Sequence, residues 1–237
     1  MAFSRQLFIL PLLLILLTSG WGWALDSRQS AQMQAVHPAT PVASAMETDP
    51  KGWVDLLEDT SLAHWKRIPV GKPRKNIQQW SLDRDAGILR CSGAGDHENF
   101  QYDHDFSDGV FHCEWRFVPV PDGKGYNSGV YCRNSPDGAV WHQAQVGVGN
   151  IGYLFGETPV DGKNARFRAD DHVVQMGNPP GEWNTYELTA KGKKLTLWIN
   201  GAVTATFDAC GLPKGQLGLE AEGWAIEFRN VKFKPAE

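Results

Sequence analysis

The chain has only four cysteines in 237 residues, and none are spaced as CxxC, which removes the usual zinc-ribbon and dithiol redox classes. It has no block of like charge: 23 Lys and Arg are interspersed with 27 Asp and Glu for a net charge of −4, which disfavours nucleic acid and anionic membrane as partners. No fixed-period repeat occurs, which disfavours propellers and solenoids. Sustained helical periodicity is missing too, so a helical bundle is excluded. The longest apolar run, Leu7 to Leu17, is too short to span a bilayer comfortably.

That run has a different meaning. It follows Arg5 and leads to Gly22-Trp23-Ala24, with small residues at the two positions a signal peptidase reads, so residues 1–24 are expected to be a secretory signal cut after Ala24. No cysteine near the junction suggests a lipid anchor. Residues 25–50, rich in Ala, Gln, Ser, Thr and Pro, are expected to be a disordered linker. The folded domain is then 51–235, in a periplasmic or secreted protein, with no membrane insertion after cleavage. In such a compartment Cys91, Cys113, Cys132 and Cys210 permit two disulfides in three connectivities. Cys113 and Cys132 lie in strand patterns and equally suit buried apolar positions.

What is present is short period-two runs separated by turn residues. Trp80 to Cys91 alternates around Asp85-Ala86-Gly87 as a hairpin. Phe111 to Val118 sorts Phe111, Cys113, Trp115 and Phe117 onto one face and His112, Glu114, Arg116 and Val118 onto the other. Tyr126 to Val146 is two strands around Ser-Pro-Asp-Gly. Val130, Cys132, Ala144 and Val146 form its apolar side, whereas Gly129, Tyr131, Arg133, Trp141, Gln143 and Gln145 form a polar and aromatic side suited to a hydrogen-bonding ligand. The Gly-, Asp-, Asn- and Pro-rich stretch 147–182 reads as loops over the mouth of that face. Strands follow at Trp183–Ala190 and Lys194–Ile199, then Asn200-Gly201, the strongest hairpin signal in the chain, with a return over Val203–Phe207. Gln216–Glu222 and Ala225–Lys234 close the domain. About a dozen short strands without a long helix predict an all-β jelly-roll sandwich. Most of the tryptophans, Trp53, Trp65, Trp80, Trp115, Trp183 and Trp198 among them, are expected in its core.

The order Glu114-Trp115-Arg116, Asn127-Ser128-Gly129-Val130-Tyr131 with Arg133, Gln143 and Gln145, Gly181-Glu182-Trp183-Asn184, Asn200-Gly201, Gly218-Leu219 and Glu227-Phe228-Arg229-Asn230-Val231 resembles the 3-keto-disaccharide hydrolase domain family over nearly all of 52–233. The resemblance implies a concanavalin A-like jelly roll, bacterial export, and action on sugars whose 3-hydroxyl has been oxidised to a ketone. Two positions depart from the pattern: the family usually has Glu where this chain has Gln143, and Gln where it has Glu220.

A 3-keto group acidifies the C2 proton, so the glycosidic bond can break by proton abstraction and elimination, followed by water addition. That route needs a base, an acid and donors for the enolate oxygen. Glu114 and Glu220 are the candidate acid and base, with His112 as a third candidate. Arg116 and Arg133 are candidates for the enolate, Asn127, Gln143 and Gln145 for sugar hydroxyls, and Tyr131 and Trp141 for the pyranose face. A partner oxidoreductase would supply the keto substrate. Each assignment has a structural alternative: Glu114 with Arg116 as a same-face ion pair, Glu220 and Glu222 as solvated strand residues, Asn127-Ser128-Gly129 as a strand-entry turn. No cofactor is implied. The clusters Asp96-His97-Glu98 and Asp103-His104-Asp105 suit hydrated loops or a Ca²⁺ site. The competing functions are a lectin-like carbohydrate-binding module, for which Gln143 speaks, and a retaining glycosidase using Glu220 and Glu222 about 5 to 5.5 Å apart.

Overall fold

A computed structural model describes residues 40–169 and 176–236. The expected signal segment and the first part of the linker lie outside them. The strands are β1 (Val54–Asp55), β2 (Trp65–Pro69), β3 (Trp80–Asp83), β4 (Ile88–Cys91), β5 (Glu98–Tyr102), β6 (Gly109–Phe117), β7 (Asn127–Asn134) and β8 (Trp141–Gly147). They continue as β9 (Leu154–Val160), β10 (Lys163–Ala169), β11 (Asn184–Lys191), β12 (Lys194–Ile199), β13 (Ala202–Phe207), β14 (Gln216–Ala221) and β15 (Ile226–Pro235). One sheet runs β13-β12-β11-β6-β15-β4-β3, with β1 also on β15; the other runs β10-β9-β8-β7-β14-β5-β2. In each sheet a run of consecutive strands, β11 to β13 or β7 to β10, is joined to strands from distant parts of the chain, such as β6 with β15 and β7 with β14, as in a jelly roll.

The core forms where the apolar faces of the two sheets meet. Phe111, Cys113, Trp115 and Phe117 of β6 are buried, as the alternation predicts, and so are Val130 and Cys132 of β7, Ala144 and Val146 of β8, and Leu217, Leu219 and Ala221 of β14. Each large apolar side chain taken out of water contributes about 1.5–3 kcal/mol. Trp65, Trp80 and Trp115 belong to this core, whereas Trp53, Trp183 and Trp198 are only half-buried. The Asn200-Gly201 turn joins β12 to β13 with Asn200 at φ 43°, the left-handed conformation such a two-residue hairpin demands.

Two expectations are corrected, and the alternative left open for the cysteines is decided. The linker gains structure before residue 50: the short helix α1 (Ala45–Thr48) is capped by Ser44, and the N–H groups of Ala45 and Met46 donate to Glu187 on β11. The stretch 147–182 contains the hairpin of β9 and β10, which extends the second sheet. Gly156 and Pro159 hid it. Any Cβ at Gly156 would strike the Trp141 carbonyl, and Pro159 lies past the β8 pairing, where its missing N–H is not needed. All four cysteines are free and buried, and burial pushes the Cys91 thiol up to about 12.

One buried group ties stability to pH. His142 of β8 is fully enclosed, with Nδ1 3.2 Å from the Arg133 carbonyl oxygen and Nε2 3.0 Å from Thr158 Oγ1. Burial lowers its pKa to about 4. Between the free-imidazole value and about 4 the unfolded chain binds a proton that the native state refuses, so stability is complete above that window and falls as pH drops through it, by about 3 kcal/mol. Urea unfolding of His142→Gln should lack this loss. His97 and Glu222 are shifted the opposite way in both proteins, so the difference between them isolates His142. Identical acid dependence of the two would refute the assignment.

Candidate active site

The polar side of the second sheet carries a checkerboard of functional groups, because each strand sends alternate residues outward. On β14, Leu217, Leu219 and Ala221 enter the core, so Glu220 and, just past the strand end, Glu222 face out. Glu220 pairs with Asn99 of β5, and the register of β14 on β7 sets Gly129 on its other side. Gly129 has a local purpose. A Cβ there would lie under 3.0 Å from the Gln143 side chain, and its absence lets Gln143 reach from β8 across β7 to Glu220.

Glu220 is 3% exposed and accepts three hydrogen bonds: from Tyr131 Oη at 2.6 Å, from Gln143 Nε2 at 2.9 Å, and with His97 Nε2 at 2.7 Å. Ser128 Oγ donates to its backbone carbonyl at 2.8 Å. Glu222 accepts from the Asn127 amide, whose carbonyl accepts in turn from Gln145. Two carboxylates and one imidazole thus sit together, one ligand atom of each within 4.8 Å of the others. Burial alone would push the His97 imidazole down, but the hydrogen bond to Glu220 and the charges of Glu220 and Glu222 outweigh it and hold the ring above its ordinary value. Burial and the neighbouring Glu220 charge raise the Glu222 carboxyl. Burial also lifts the Tyr131 phenol far above its usual range, so it acts as a donor.

These groups line a pocket of about 480 Å³. Trp141 and Phe155, edge to face at 5.2 Å, form one wall, and the β7–β8 turn at Asp137 and Gly138 forms another. The size and the mix of aromatic and amide groups fit a small ligand with hydroxyls.

Of the residues expected at the site, Asn127, Tyr131, Trp141, Gln143, Gln145 and Glu220 are gathered here. Glu114, His112 and Arg116 are not: they alternate on the outward face of β6, which belongs to the other sheet. His112 Nδ1 is 3.0 Å from Glu187. Glu114 accepts from Arg229 at 2.6 Å. Arg116 donates to Glu227 at 2.7 Å and stands 4.4 Å from the Trp183 ring centre. The same-face ion pair expected between Glu114 and Arg116 does not form: each pairs instead with a residue across the sheet, Glu114 with Arg229 and Arg116 with Glu227. Arg133 is diverted by a bulge: its φ is 51°, the register on β14 shifts beside it, and its guanidinium turns away to Asp108 at 2.6 Å and the Leu212 carbonyl at 3.1 Å. The acidic clusters also find other duties. Asp96 accepts from the backbone N–H groups of Arg74 and Lys75, and Glu98 from Arg67 and Trp80.

The role of His97 and Asn99 was missed. The alternation of His97, Asn99 and Gln101 against Glu98, Phe100 and Tyr102 was the available signal, masked by the acidic residues around it. The two departures from the family pattern turn out to be one. Gln143 and Glu220 are hydrogen-bonded neighbours, so the carboxylate lost at one strand is regained opposite it.

The sandwich is similar to solved structures. A protein described as a glycosyl hydrolase from Parabacteroides distasonis ATCC 8503 aligns with TM-score 0.56 at 16% identity, over 84% of this chain and 100% of that one. A β-1,3-1,4-glucanase derived from a mouse hindgut metagenome aligns with TM-score 0.51 at 11% identity, over 78% and 98%. The carbohydrate-binding module CBM66 of Bacillus subtilis aligns with TM-score 0.50 at 13% identity, over 71% and 93%. At these identities the likeness establishes the fold alone. No curated protein sequence matches the chain. Residues 52–234 match the 3-keto-alpha-glucoside-1,2-lyase-like domain, and a match over most of the chain makes this protein a member of that family.

Proposed function

We propose that the pocket cleaves 3-keto-glycosides by elimination across C1 and C2. The observation that carries this reading is a half-buried carboxylate, Glu222, beside an imidazole held by Glu220, in a pocket with aromatic walls and amide groups. Glu222 takes the C2 proton, the C–H electrons become the enolate of the 3-keto group, and the C1–O bond breaks as the enolate collapses. The leaving oxygen recovers the proton from the Glu222 carboxylic acid, so the products are the aglycone alcohol and a 2-hydroxy-3-keto-glucal. Water added across its double bond then gives the free keto sugar. His97, whose Nε2 is engaged by Glu220, brings the positive charge of its imidazolium beside Glu222, where the enolate develops. Glu220, held by three donors, orients His97 and is a positioning residue.

The reading extends to context. A 3-keto sugar is the oxidation product of its parent glycoside, so the class of enzyme that would supply this substrate is an oxidoreductase. The apolar run at Leu7–Leu17 supports export, with the enzyme meeting its substrate in the periplasm or outside the cell. A retaining glycosidase would use Glu220 as nucleophile, against which stand its burial and its three hydrogen bonds.

The test offers the protein a 3-keto-glucoside and its unoxidised parent in D₂O. Aglycone release from the keto form alone, with deuterium at C2 of the product, is the expected result. Equal cleavage of both would replace the elimination by ordinary glycoside hydrolysis, and binding without cleavage would make this a sugar-binding module.

A further inference from the structure

The elimination still needs a hydrogen-bond donor for the ketone oxygen as it becomes an enolate. Most donors on the pocket lining are committed within the protein. Tyr131 Oη and Gln143 Nε2 donate to Glu220, Gln145 Nε2 donates to the Asn127 carbonyl, and Asn127 Nδ2 donates to Glu222. His97 turns Nε2 to Glu220, and Arg166 at the rim is largely exposed and paired with Glu157. The Trp141 indole stands on β8, two strands from β14 and its carboxylates. Asn99 is different. It lines the pocket, is 5% exposed, and among the described residues its side chain has no hydrogen-bond partner. Its Oδ1 is sealed from solvent, whereas its Nδ2 lies beside Gly138 at the pocket wall, 3.9 Å from where a Cβ on that glycine would stand. A buried amide without a partner weakens the fold, so its place here calls for a ligand.

We propose that Asn99 is a catalytic residue whose Nδ2–H holds the 3-keto oxygen and stabilises the enolate. The assignment rests on the keto-glycoside reading. Strand register supplies the geometry. Asn99 is the cross-strand partner of Glu220, so Glu222, two residues on, lies diagonal to it at about 7–8 Å between backbones. A sugar whose C2 proton faces Glu222 bridges that gap with its C2–C3 bond and its ketone oxygen. As the proton passes to Glu222, the C–H electron pair forms the C2–C3 double bond and the carbonyl π pair moves onto O3. The Asn99 N–H donates to that oxygen throughout and loses no proton. Its hydrogen bond strengthens as O3 gains charge, which favours the transition state over the bound ketone. Ile68, the partner of Asn99 on β2, packs against Gly138 beside the amide and holds it in place.

The experiment compares the parent protein with Asn99→Leu, which keeps the bulk and removes the donor. Turnover of a 3-keto-glucoside should fall about 10²- to 10³-fold while KM changes less than about threefold, the signature of a group that acts in the transition state. In D₂O, exchange of the C2 proton of 1,5-anhydroglucitol oxidised at C3, which has no aglycone to expel, should slow by the same factor and so place the loss at enolisation. The melting temperature should be equal or higher, because the side chain has no internal hydrogen bond to lose. Asn99→Ala, smaller beside Ile68, serves should the leucine fail to fold. Turnover and exchange within a few-fold of the parent would remove Asn99 from the chemistry and leave keto-glycoside cleavage standing. A raised KM with kcat kept would overturn the catalytic role in favour of ground-state binding alone. Neither cleavage nor exchange by the parent protein would remove the keto-glycoside reading and the donor with it.

Discussion

Glu222→Gln is expected to lower turnover of a 3-keto-glucoside by about 10²- to 10⁴-fold, the usual contribution of a positioned general base. The amide has the same shape but cannot take a proton. KM should change little, because Glu222 meets the sugar mainly in the transition state. Folding should not suffer. The raised carboxyl means that the native state disfavours the charged form, so at neutral pH its removal relieves repulsion with Glu220 and leaves stability equal or slightly higher. The Asn127 amide can turn to pair with the new side chain. Steady-state kinetics and melting on the same preparation decide the point. A turnover within a few-fold of the parent would take the base away from Glu222, and a large loss of stability would make its role structural.

The second large effect is a non-additive pair. Gln143→Glu alone sets a second carboxylate against Glu220, at a place where an amide now donates across 2.9 Å in a buried site. An uncompensated buried charge of this kind costs about 3–5 kcal/mol. Glu220→Gln alone leaves two amides facing each other and removes the carboxylate that Tyr131 and His97 address, a loss of about 1–3 kcal/mol. The double substitution restores one carboxylate and one amide with the polarity reversed, which is the arrangement the family pattern usually shows. Most of the combined loss should return, with a coupling of up to about 3 kcal/mol between the sites. Urea unfolding of the four proteins measures it. Simple additivity would mean that the hydrogen bond between these two side chains contributes nothing to either.

Much of this was legible in the residues because alternation is a local property. The apolar face of β6, the Asn200-Gly201 hairpin and the outward face of Tyr131, Gln143 and Gln145 follow from steric rules acting over a few neighbours. The same rules failed where one residue breaks the period. Arg133 stands two after Tyr131 and was expected beside it, but a left-handed φ at the bulge sends it into a different set of contacts. Gly156 and Pro159 likewise disguised a paired strand as loop.

The sequence by itself determined the class of fold, the positions of most turns, which side of each strand is apolar, and the family. Only the tertiary structure decided which polar faces share a sheet. Glu114, His112 and Arg116 carry the right chemistry on a well-read strand, yet that strand lies in the opposite sheet from Glu220, and its polar groups pair with cross-strand neighbours instead. His97 and Glu220 are 123 positions apart and meet at 2.7 Å because β5 and β14 are adjacent. Strand adjacency is set by the burial of two whole sheets against each other, a sum over distant residues that no local pattern contains.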